Sequence, residues 1–195
     1  MEILEAIKAR RSIRKFMDKP LTDEELSLIL QAGAYAPSGG NSQSTHFIVL
    51  RGREKIDALR MTGVAAFAAM DEESEEYRGY ANAIKRAKNE GAGYDFTYGA
   101  PVFVLLANRK DYGNAMADCA LAAENMFLQA AAMGIGSCYV NQIHWLTEND
   151  KVNAALREMG MKENETVFLS VALGYSAMGE LPPLERFGNP VTYVD

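Results

Sequence analysis

Apolar residues recur along this chain at helical spacing in some segments and as unbroken runs in others. The helical spacing predicts helices over 2–11, 23–35, 53–70, 77–89, 114–133 and 148–159. Two of these helices are expected to follow capping boxes, at Thr22 with Glu25 and at Thr147 with Asp150. The unbroken apolar runs predict buried strands at 46–50, 102–107, 137–140 and 166–173. With 195 residues, this order of elements fits one domain, or one domain with arms.

The other elements are expected to surround the helix that ends at Met133. From Cys119 to Met133 its only charged residue is Glu124, and the rest is apolar nearly all round. Such a helix is typically buried on most of its surface. It ends at Gly134-Ile135-Gly136, where no large side chain shields the backbone on either side. This turn is either an edge against which a flat ligand lies or an ordinary glycine C-cap.

Basic residues are concentrated near the N-terminus of a chain that is acidic overall. Lys8 and the stretch from Arg10 to Lys15 place five basic residues in eight positions, although the net charge is −6. Cations this close repel one another unless an anion lies between them. Arginine side chains and the Ser12 hydroxyl are donors that suit phosphate. The stretch therefore indicates either an anion site or an exposed cationic turn.

A loop rich in glycine and polar side chains precedes the first predicted strand. It reads Pro-Ser-Gly-Gly-Asn-Ser-Gln over 37–43. The amides of Asn41 and Gln43 offer both donors and acceptors for a heterocyclic ligand. The same residue types are also common turn formers, so the loop has two interpretations.

Two further regions differ from the rest of the chain. Residues 71–98 are charged, aromatic and broken by glycines. They form either a lid over a pocket or a helical hairpin on the surface. Residues 175–195, which we call the C-terminal arm, show no periodicity but end in an extended Val-Thr-Tyr-Val segment at 191–194. An extended segment without a local partner suggests pairing with a second subunit.

Composition excludes several classes of function. The negative charge argues against a nucleic-acid binder, and no apolar run reaches the ~20 residues of a membrane span. The N-terminus does not resemble a secretory signal, so we expect a cytoplasmic protein whose Cys119 and Cys138 are buried free thiols. No metal-ligand spacing, nucleophile motif, phosphate-binding loop or dinucleotide fingerprint is present. If the protein is an enzyme, a bound organic cofactor should therefore carry the chemistry.

Five stretches in this order resemble the FMN-dependent nitroreductase family. They are ARRSIRKF (Ala9–Phe16), APSGGNSQ (Ala36–Gln43), GAPVFVLLA (Gly99–Ala107), GIGSC (Gly134–Cys138) and ALGY (Ala172–Tyr175). The resemblance covers nearly the whole chain apart from 60–98, a region that varies widely in the family. Ser44-Thr45 stands where the family usually has Pro-Trp, and no acidic residue accompanies the Gly134–Gly136 turn.

The resemblance implies a single nitroreductase-like domain over 1–195. Its fold would be α+β, with a mainly antiparallel sheet flanked by helices in an intertwined homodimer. The long helix would form much of the dimer core, and the C-terminal arm would add to the partner's sheet. Residues 71–98 would be a variable, lid-like excursion.

The resemblance also implies a site for tightly bound FMN at the dimer interface. The FMN phosphate and pyrimidine edge would be held by Arg10, Arg11, Ser12 and Arg14. The ring or ribityl chain of the partner's FMN would be contacted by Pro37, Ser38, Gly39, Asn41 and Gln43. Gly134, Ile135 and Gly136 would lie near the flavin edge, with a backbone N–H toward N5. Arg186 would be the late basic residue near the phosphate, although Glu185-Arg186-Phe187 replaces the family's usual basic-basic-proline tail.

A hydride would pass from NADH or NADPH to flavin N5 and then to a small-molecule acceptor, a nitroaromatic, quinone or similar compound. Because one pocket serves both in turn, ping-pong kinetics are expected. No catalytic side chain or metal is required. The alternatives are another flavin reaction on this fold, such as reductive dehalogenation, ene reduction or flavin fragmentation, and a flavin-binding sensor or carrier without turnover.

Overall fold

The computed structural model describes residues 2–179 and 181–194, so Glu180 and Asp195 of the C-terminal arm lie outside the described residues. The α-helices are α1 (Ile3–Ala9), α2 (Asp23–Ala34), α3 (Arg53–Ala68), α4 (Ala81–Glu90), α5 (Ala115–Ala132) and α6 (Asp150–Glu158). The strands are β1 (His46–Arg51), β2 (Val102–Arg109), β3 (Gly136–Val140) and β4 (Glu165–Gly174). Short 3₁₀ helices lie at Gly39–Asn41, Glu75–Tyr80, Gly91–Gly93 and His144–Leu146.

The four strands form one antiparallel sheet in the order β1-β2-β4-β3. Strands β2 and β4 lie at its centre, as their unbroken apolar sequences predict, and both are buried along almost their whole length. In β2 every residue from Val102 to Ala107 is at most 3% exposed. The predicted α+β arrangement of an antiparallel sheet with flanking helices is confirmed.

Each face of the sheet is covered by its own apolar core. On one face, α5 and α2 pack through side chains such as Met126, Ile29 and Leu169. On the other face, α3, α4 and α6 pack through Phe67, Ile84 and Leu156. Because Cys119 belongs to the first core and Cys138 to the second, a disulfide between them is excluded. The prediction of buried free thiols is confirmed.

The capping signal at Thr22 is confirmed, but the one at Thr147 is wrong. Thr22 accepts the Glu25 N–H at 3.1 Å, and the Glu25 carboxylate accepts the Thr22 N–H at 2.8 Å. The later helix begins at Asp150 instead, with Asn149 as its N-cap accepting from the next turn. Thr147 donates its hydroxyl to the His144 carbonyl and so completes the preceding 3₁₀ turn.

The predicted helix at 77–89 also begins later than expected. Residues Glu75–Tyr80 form a 3₁₀ helix, and the α-helix α4 starts only at Ala81. The acidic run from Asp71 to Glu76 lies in a turn and in the first residues of this 3₁₀ helix. Five carboxylates within that run repel one another, which opposes regular helix formation there.

The long helix α5 is buried on one side only within this chain. Its sheet-facing residues, such as Cys119, Met126 and Ala130, are fully buried. Leu121 on its other side is 46% exposed, and Met116 in its first turn is 40% exposed. The expectation of burial on most of its surface is thus not met by one protomer. Among the described residues, no helix is long and apolar enough to cross a membrane.

Candidate functional site

The basic stretch near the N-terminus lies directly beside the Gly134–Gly136 turn. Ile13 donates its N–H to the Ser137 carbonyl at 2.8 Å, and Ser12 pairs with Ser137 as a parallel β-bridge. Further along, the Met17 N–H is donated to the Tyr175 carbonyl, also at 2.8 Å. The stretch is therefore held between the start of β3 and the beginning of the C-terminal arm.

All five predicted phosphate-binding residues line one cavity of about 320 Å³. Its lining residues are Arg10, Arg11, Ser12, Arg14, Leu184 and Arg186. The structure thus brings Arg186, far along the sequence, to the N-terminal cluster. One guanidinium is fixed from the arm, since Arg11 Nη1 donates to the Pro182 carbonyl.

One buried donor in this cluster lacks a hydrogen-bond partner. Among the described residues, nothing accepts a hydrogen bond from the Nε of Arg10. The nearest carboxylate oxygen in an ion pair with it belongs to Glu124, at 3.6 Å. This is longer than a hydrogen bond, and an unpaired buried donor is costly. The Arg10 side chain therefore has spare capacity for an anionic ligand.

A second cavity of about 150 Å³ adjoins the first through Arg10 and Arg11. It is lined by the whole Gly134–Gly136 turn, so the structure places the predicted phosphate and ring-edge residues side by side. Gly134 has a φ of 70°, and a Cβ added there would have no atom of the other described residues within 4 Å. Within the described part of the chain, the backbone here is therefore not covered by a side chain.

The turn also forms a glycine C-cap, the second of its two predicted interpretations. The N–H groups of Gly134 and Ile135 are donated to the carbonyls of Ala131 and Ala130, at 3.1 and 2.8 Å. Both N–H groups are thus already paired with the end of α5. A hydrogen bond from either N–H to a ligand would therefore be bifurcated, because the same hydrogen is also donated to a carbonyl of α5.

The loop at 37–43 lies elsewhere in this protomer. Pro37, Ser38 and Gln43 line a separate cavity of about 140 Å³ that includes none of the cluster arginines. Asn41 and Gln43 have positive φ values of 55° and 48°, which side chains other than glycine seldom adopt. Among the described residues, neither of their side-chain amides has a hydrogen-bond partner. Both amides are exposed and available to a ligand.

Sequence reasoning missed several residues of these cavities. Ala9, Ala131, Ser176, Gly179 and Leu181 also line the cavity at the glycine turn. They carry no charge and no distinctive spacing, so only their contact with the basic stretch reveals them. The Met178 sulfur likewise accepts the Arg14 N–H at 3.4 Å, a contact that nothing in the sequence signals.

The segment after α4 is fixed to α3 by a network of charges. Asp95 accepts from the Thr97 N–H at 2.8 Å and lies 3.3 Å from Arg53 Nη2. Although burial raises the pKa of Asp95, the hydrogen bonds from Thr97 and the charge of Arg53 outweigh it, and the net pKa is lowered. Phe96 beside it is only 1% exposed and packs within the core. The description of 71–98 as a lid stays a prediction.

Neither thiol shows the features of a reactive cysteine. Burial raises the pKa of Cys119 to about 11, and burial also raises the pKa of Cys138. Both groups are therefore protonated at neutral pH and poor nucleophiles. Among the described residues, no cluster of histidine, cysteine and acidic side chains is arranged to hold a metal ion.

Comparison with known sequences decides the family. The sequence model of the Nitroreductase family matches residues 7–175. This chain belongs to the nitroreductase family. The matched span contains the basic stretch, the Gly134–Gly136 turn and the loop at 37–43, whereas Arg186 and the arm residues that line the cavities lie beyond it. The resemblance seen in the five sequence stretches is confirmed.

Relatives and solved structures agree with this nitroreductase assignment. A crystal structure of a nitroreductase with bound FMN from Bacteroides fragilis is 37% identical, covers 100% of both chains and superposes with a TM-score of 0.89. A relative from Archaeoglobus fulgidus with the provisional name NADH dehydrogenase/NAD(P)H nitroreductase is 34% identical, covering 89% of this chain and 85% of its own. An FMN reductase (NADPH) from Bacillus subtilis is 29% identical over 94% of this chain and 70% of its own.

Proposed function

We propose that this protein is an FMN-dependent NAD(P)H oxidoreductase that reduces nitroaromatics, quinones or similar acceptors. The observation that carries the proposal is the basic cavity at Arg10–Arg14 and Arg186, continuous with a second cavity at the Gly134–Gly136 turn. A phosphate-bearing ligand with a flat, polar-edged ring matches this pair of cavities. The names of the relatives from Bacteroides fragilis and Bacillus subtilis support FMN as that ligand.

The residues present fit FMN on their own chemistry. The larger cavity offers the guanidinium groups of four arginines and one hydroxyl, a donor set suited to a dianionic phosphate. The unpaired Nε of Arg10 is the buried donor that such a group would satisfy. The bare backbone at Gly134 leaves space beside it for the edge of a ring.

In this proposal, Arg10, Arg11, Arg14 and Arg186 hold the phosphate, with Ser12 as a hydroxyl donor. Gly134, Ile135 and Gly136 border the ring edge, where the absence of large side chains permits close approach. When bound, FMN supplies hydride transfer between NADH or NADPH and the acceptor. The chain itself binds and orients the cofactor, and no side chain is assigned to proton transfer.

We also propose that the protein works as a homodimer in which each flavin contacts both chains. The loop at 37–43 and the basic cavity are separate in one protomer, so a ligand that contacts both needs a second copy. The exposed Met116 and Leu121 on α5 provide an apolar surface for that contact. In solution the dimer would bury this surface.

The C-terminal arm supports the same proposal. Its side chains Phe187, Val191, Tyr193 and Val194 are between 72% and 92% exposed. Strand β1 is an edge of the sheet, and a groove of about 500 Å³ runs between it and α2. Unpaired edges readily accept a further strand from another chain. We therefore place the end of the arm, from Phe187 onward, on the partner's β1 edge.

Deleting residues 187–195 is expected to weaken dimerisation at least about 100-fold, because burying one large apolar side chain contributes about 1.5–3 kcal/mol. Sedimentation velocity across a concentration series measures the dissociation constant. A matched variant replaces the polar arm residues Asn189 and Thr192 by alanine and should leave the constant unchanged. Equal dimerisation of the deleted and full-length chains would contradict the proposed role of the arm.

The reaction itself is tested by steady-state kinetics under anaerobic conditions. NADH or NADPH and a nitroaromatic or quinone are varied together with the FMN-loaded protein. Parallel lines in double-reciprocal plots are expected, because both substrates use one pocket in turn. Absence of NAD(P)H oxidation with every acceptor, in a protein that holds full FMN, would overturn the proposed enzyme and favour a flavin carrier.

A further inference from the structure

The loop at 37–43 is fastened to the start of α5 by a single carboxylate. Asp118 Oδ1 accepts the N–H of Gly39 at 3.1 Å, and its Oδ2 lies 3.3 Å from the Ser42 hydroxyl. One side chain thus holds both ends of the short 3₁₀ turn at Gly39–Asn41. Asp118 is only 4% exposed, so the carboxylate itself is largely shielded from water.

Tyr112 completes the attachment from the segment that precedes α5. Its hydroxyl donates to the Gly39 carbonyl at 2.9 Å and lies 3.2 Å from the Ser42 hydroxyl. The fit against Gly39 is close, since a Cβ added there would lie 2.6 Å from the Tyr112 hydroxyl and 2.2 Å from the Asn114 side-chain nitrogen. The loop backbone is therefore packed directly onto Tyr112 and Asn114.

The loop needs such support because its backbone is strained. Gly40, Asn41 and Gln43 all have φ between 48° and 58°. For residues other than glycine this conformation costs of order 1–3 kcal/mol each and persists only when the surroundings impose it. Such strain is typical of segments that bind ligands. Here the strained residues are Asn41 and Gln43, whose amides face outward.

Asp118 is also an expensive residue to bury. Among the described residues it forms no ion pair with Lys, Arg or His. A buried carboxylate without a cation is unfavourable unless hydrogen bonds compensate it. Its partners are the loop groups at Gly39 and Ser42, so the loop and the carboxylate stabilise one another. If this buried position served only to pack the helix, an apolar residue would be more favourable there than a carboxylate.

We propose that Asp118, assisted by Tyr112, is a positioning residue that sets the 37–43 loop for contact with the flavin ring. This inference rests on the proposed function. Asp118 lines the same cavity as Ser38 and Gln43, the loop residues assigned to the ring of the partner's FMN. Its charge therefore also belongs to the electrostatic surroundings of that ring and lowers the flavin reduction potential.

The test compares FMN binding and flavin potential in wild type and in Asp118→Ala and Asp118→Asn. Apoprotein is titrated with FMN by fluorescence quenching, and the midpoint potential is measured by dye equilibration. Asp118→Ala is expected to weaken FMN binding about tenfold. Asp118→Asn keeps an oxygen for the Gly39 N–H, so binding should weaken only about threefold, while loss of the charge shifts the potential to a more positive value.

The matched control is Asp111→Asn, which removes the same charge from an exposed position nearby. This control should change neither the affinity for FMN nor the flavin midpoint potential. If the alanine variant does not fold, Asp118→Asn carries the test alone. Wild-type protein that binds no FMN would overturn the proposed function. Wild-type FMN binding together with unchanged affinity and potential in the Asp118 variants would overturn this inference and leave the proposed function intact.

Discussion

Replacing Arg11 and Arg14 together by alanine is expected to raise the FMN dissociation constant by about 100-fold. Both residues line the basic cavity with Arg10 and Arg186. A hydrogen bond to a charged group contributes about 1.5–3 kcal/mol, and 1.4 kcal/mol is a factor of ten. Loss of two such contacts at the lower value of about 1.5 kcal/mol each corresponds to about 100-fold weaker binding. Fluorescence titration of apoprotein with FMN measures it.

The control for this double variant removes two nearby charges outside the cavity. Lys8 and Lys15 are exposed basic residues of the same stretch, and neither lines the cavity. Their double alanine variant should bind FMN within about twofold of wild type, because exposed charges are screened by salt. Equal weakening in both double variants would show a general charge effect and contradict a specific phosphate site at Arg11 and Arg14.

Changing Gly136 to alanine is expected to lower the free energy of unfolding by about 1–3 kcal/mol and to weaken FMN binding about tenfold. An added Cβ would lie 2.9 Å from Ile13 Cγ1 and 3.1 Å from the Gly174 carbonyl oxygen. Neither of these two neighbours can move away easily, because the Ile13 backbone is hydrogen-bonded to Ser137 and Gly174 belongs to β4. The basic stretch would move away from the glycine turn. Urea unfolding and FMN titration measure both effects.

The same substitution at Gly113 serves as the control. A Cβ at Gly113 would have no atom of the other described residues within 4 Å, and Gly113 does not have a positive φ. Gly113→Ala should therefore change neither stability nor binding beyond about 0.5 kcal/mol. If Gly136→Ala were destabilised but bound FMN as wild type does, the contact between the basic stretch and β3 would not position the phosphate site.

The central sheet and the helices of this protein follow from local patterns in the sequence. Strands β2 and β4 are continuous apolar runs, and such runs are long enough to identify central strands without knowledge of their neighbours. The cap at Thr22 is equally local. The failures lie where several signals compete, as at Thr147, where Asn149 two residues later is the better cap acceptor.

The candidate site is predictable only in pieces. The crowding of cations at Arg10–Arg14 indicates an anion from local sequence alone. The residues that complete the site cannot be placed from local sequence. Arg186 reaches the cluster through the fold of the arm, and the Gly134 turn is brought to it by the β-bridge between Ser12 and Ser137. Asp118 could not be found either, because an acidic residue at the start of a helix is commonplace until its burial and loop contacts are seen.

The most direct test of the proposed FMN site is the visible absorbance spectrum of the purified protein, with the released cofactor identified after heat denaturation. A flavin band and about one FMN per chain are expected, since each basic cavity holds one phosphate. A protein that stays colourless after incubation with excess FMN would contradict FMN binding. The anion held by Arg10, Arg11, Arg14 and Arg186 would then be a different one.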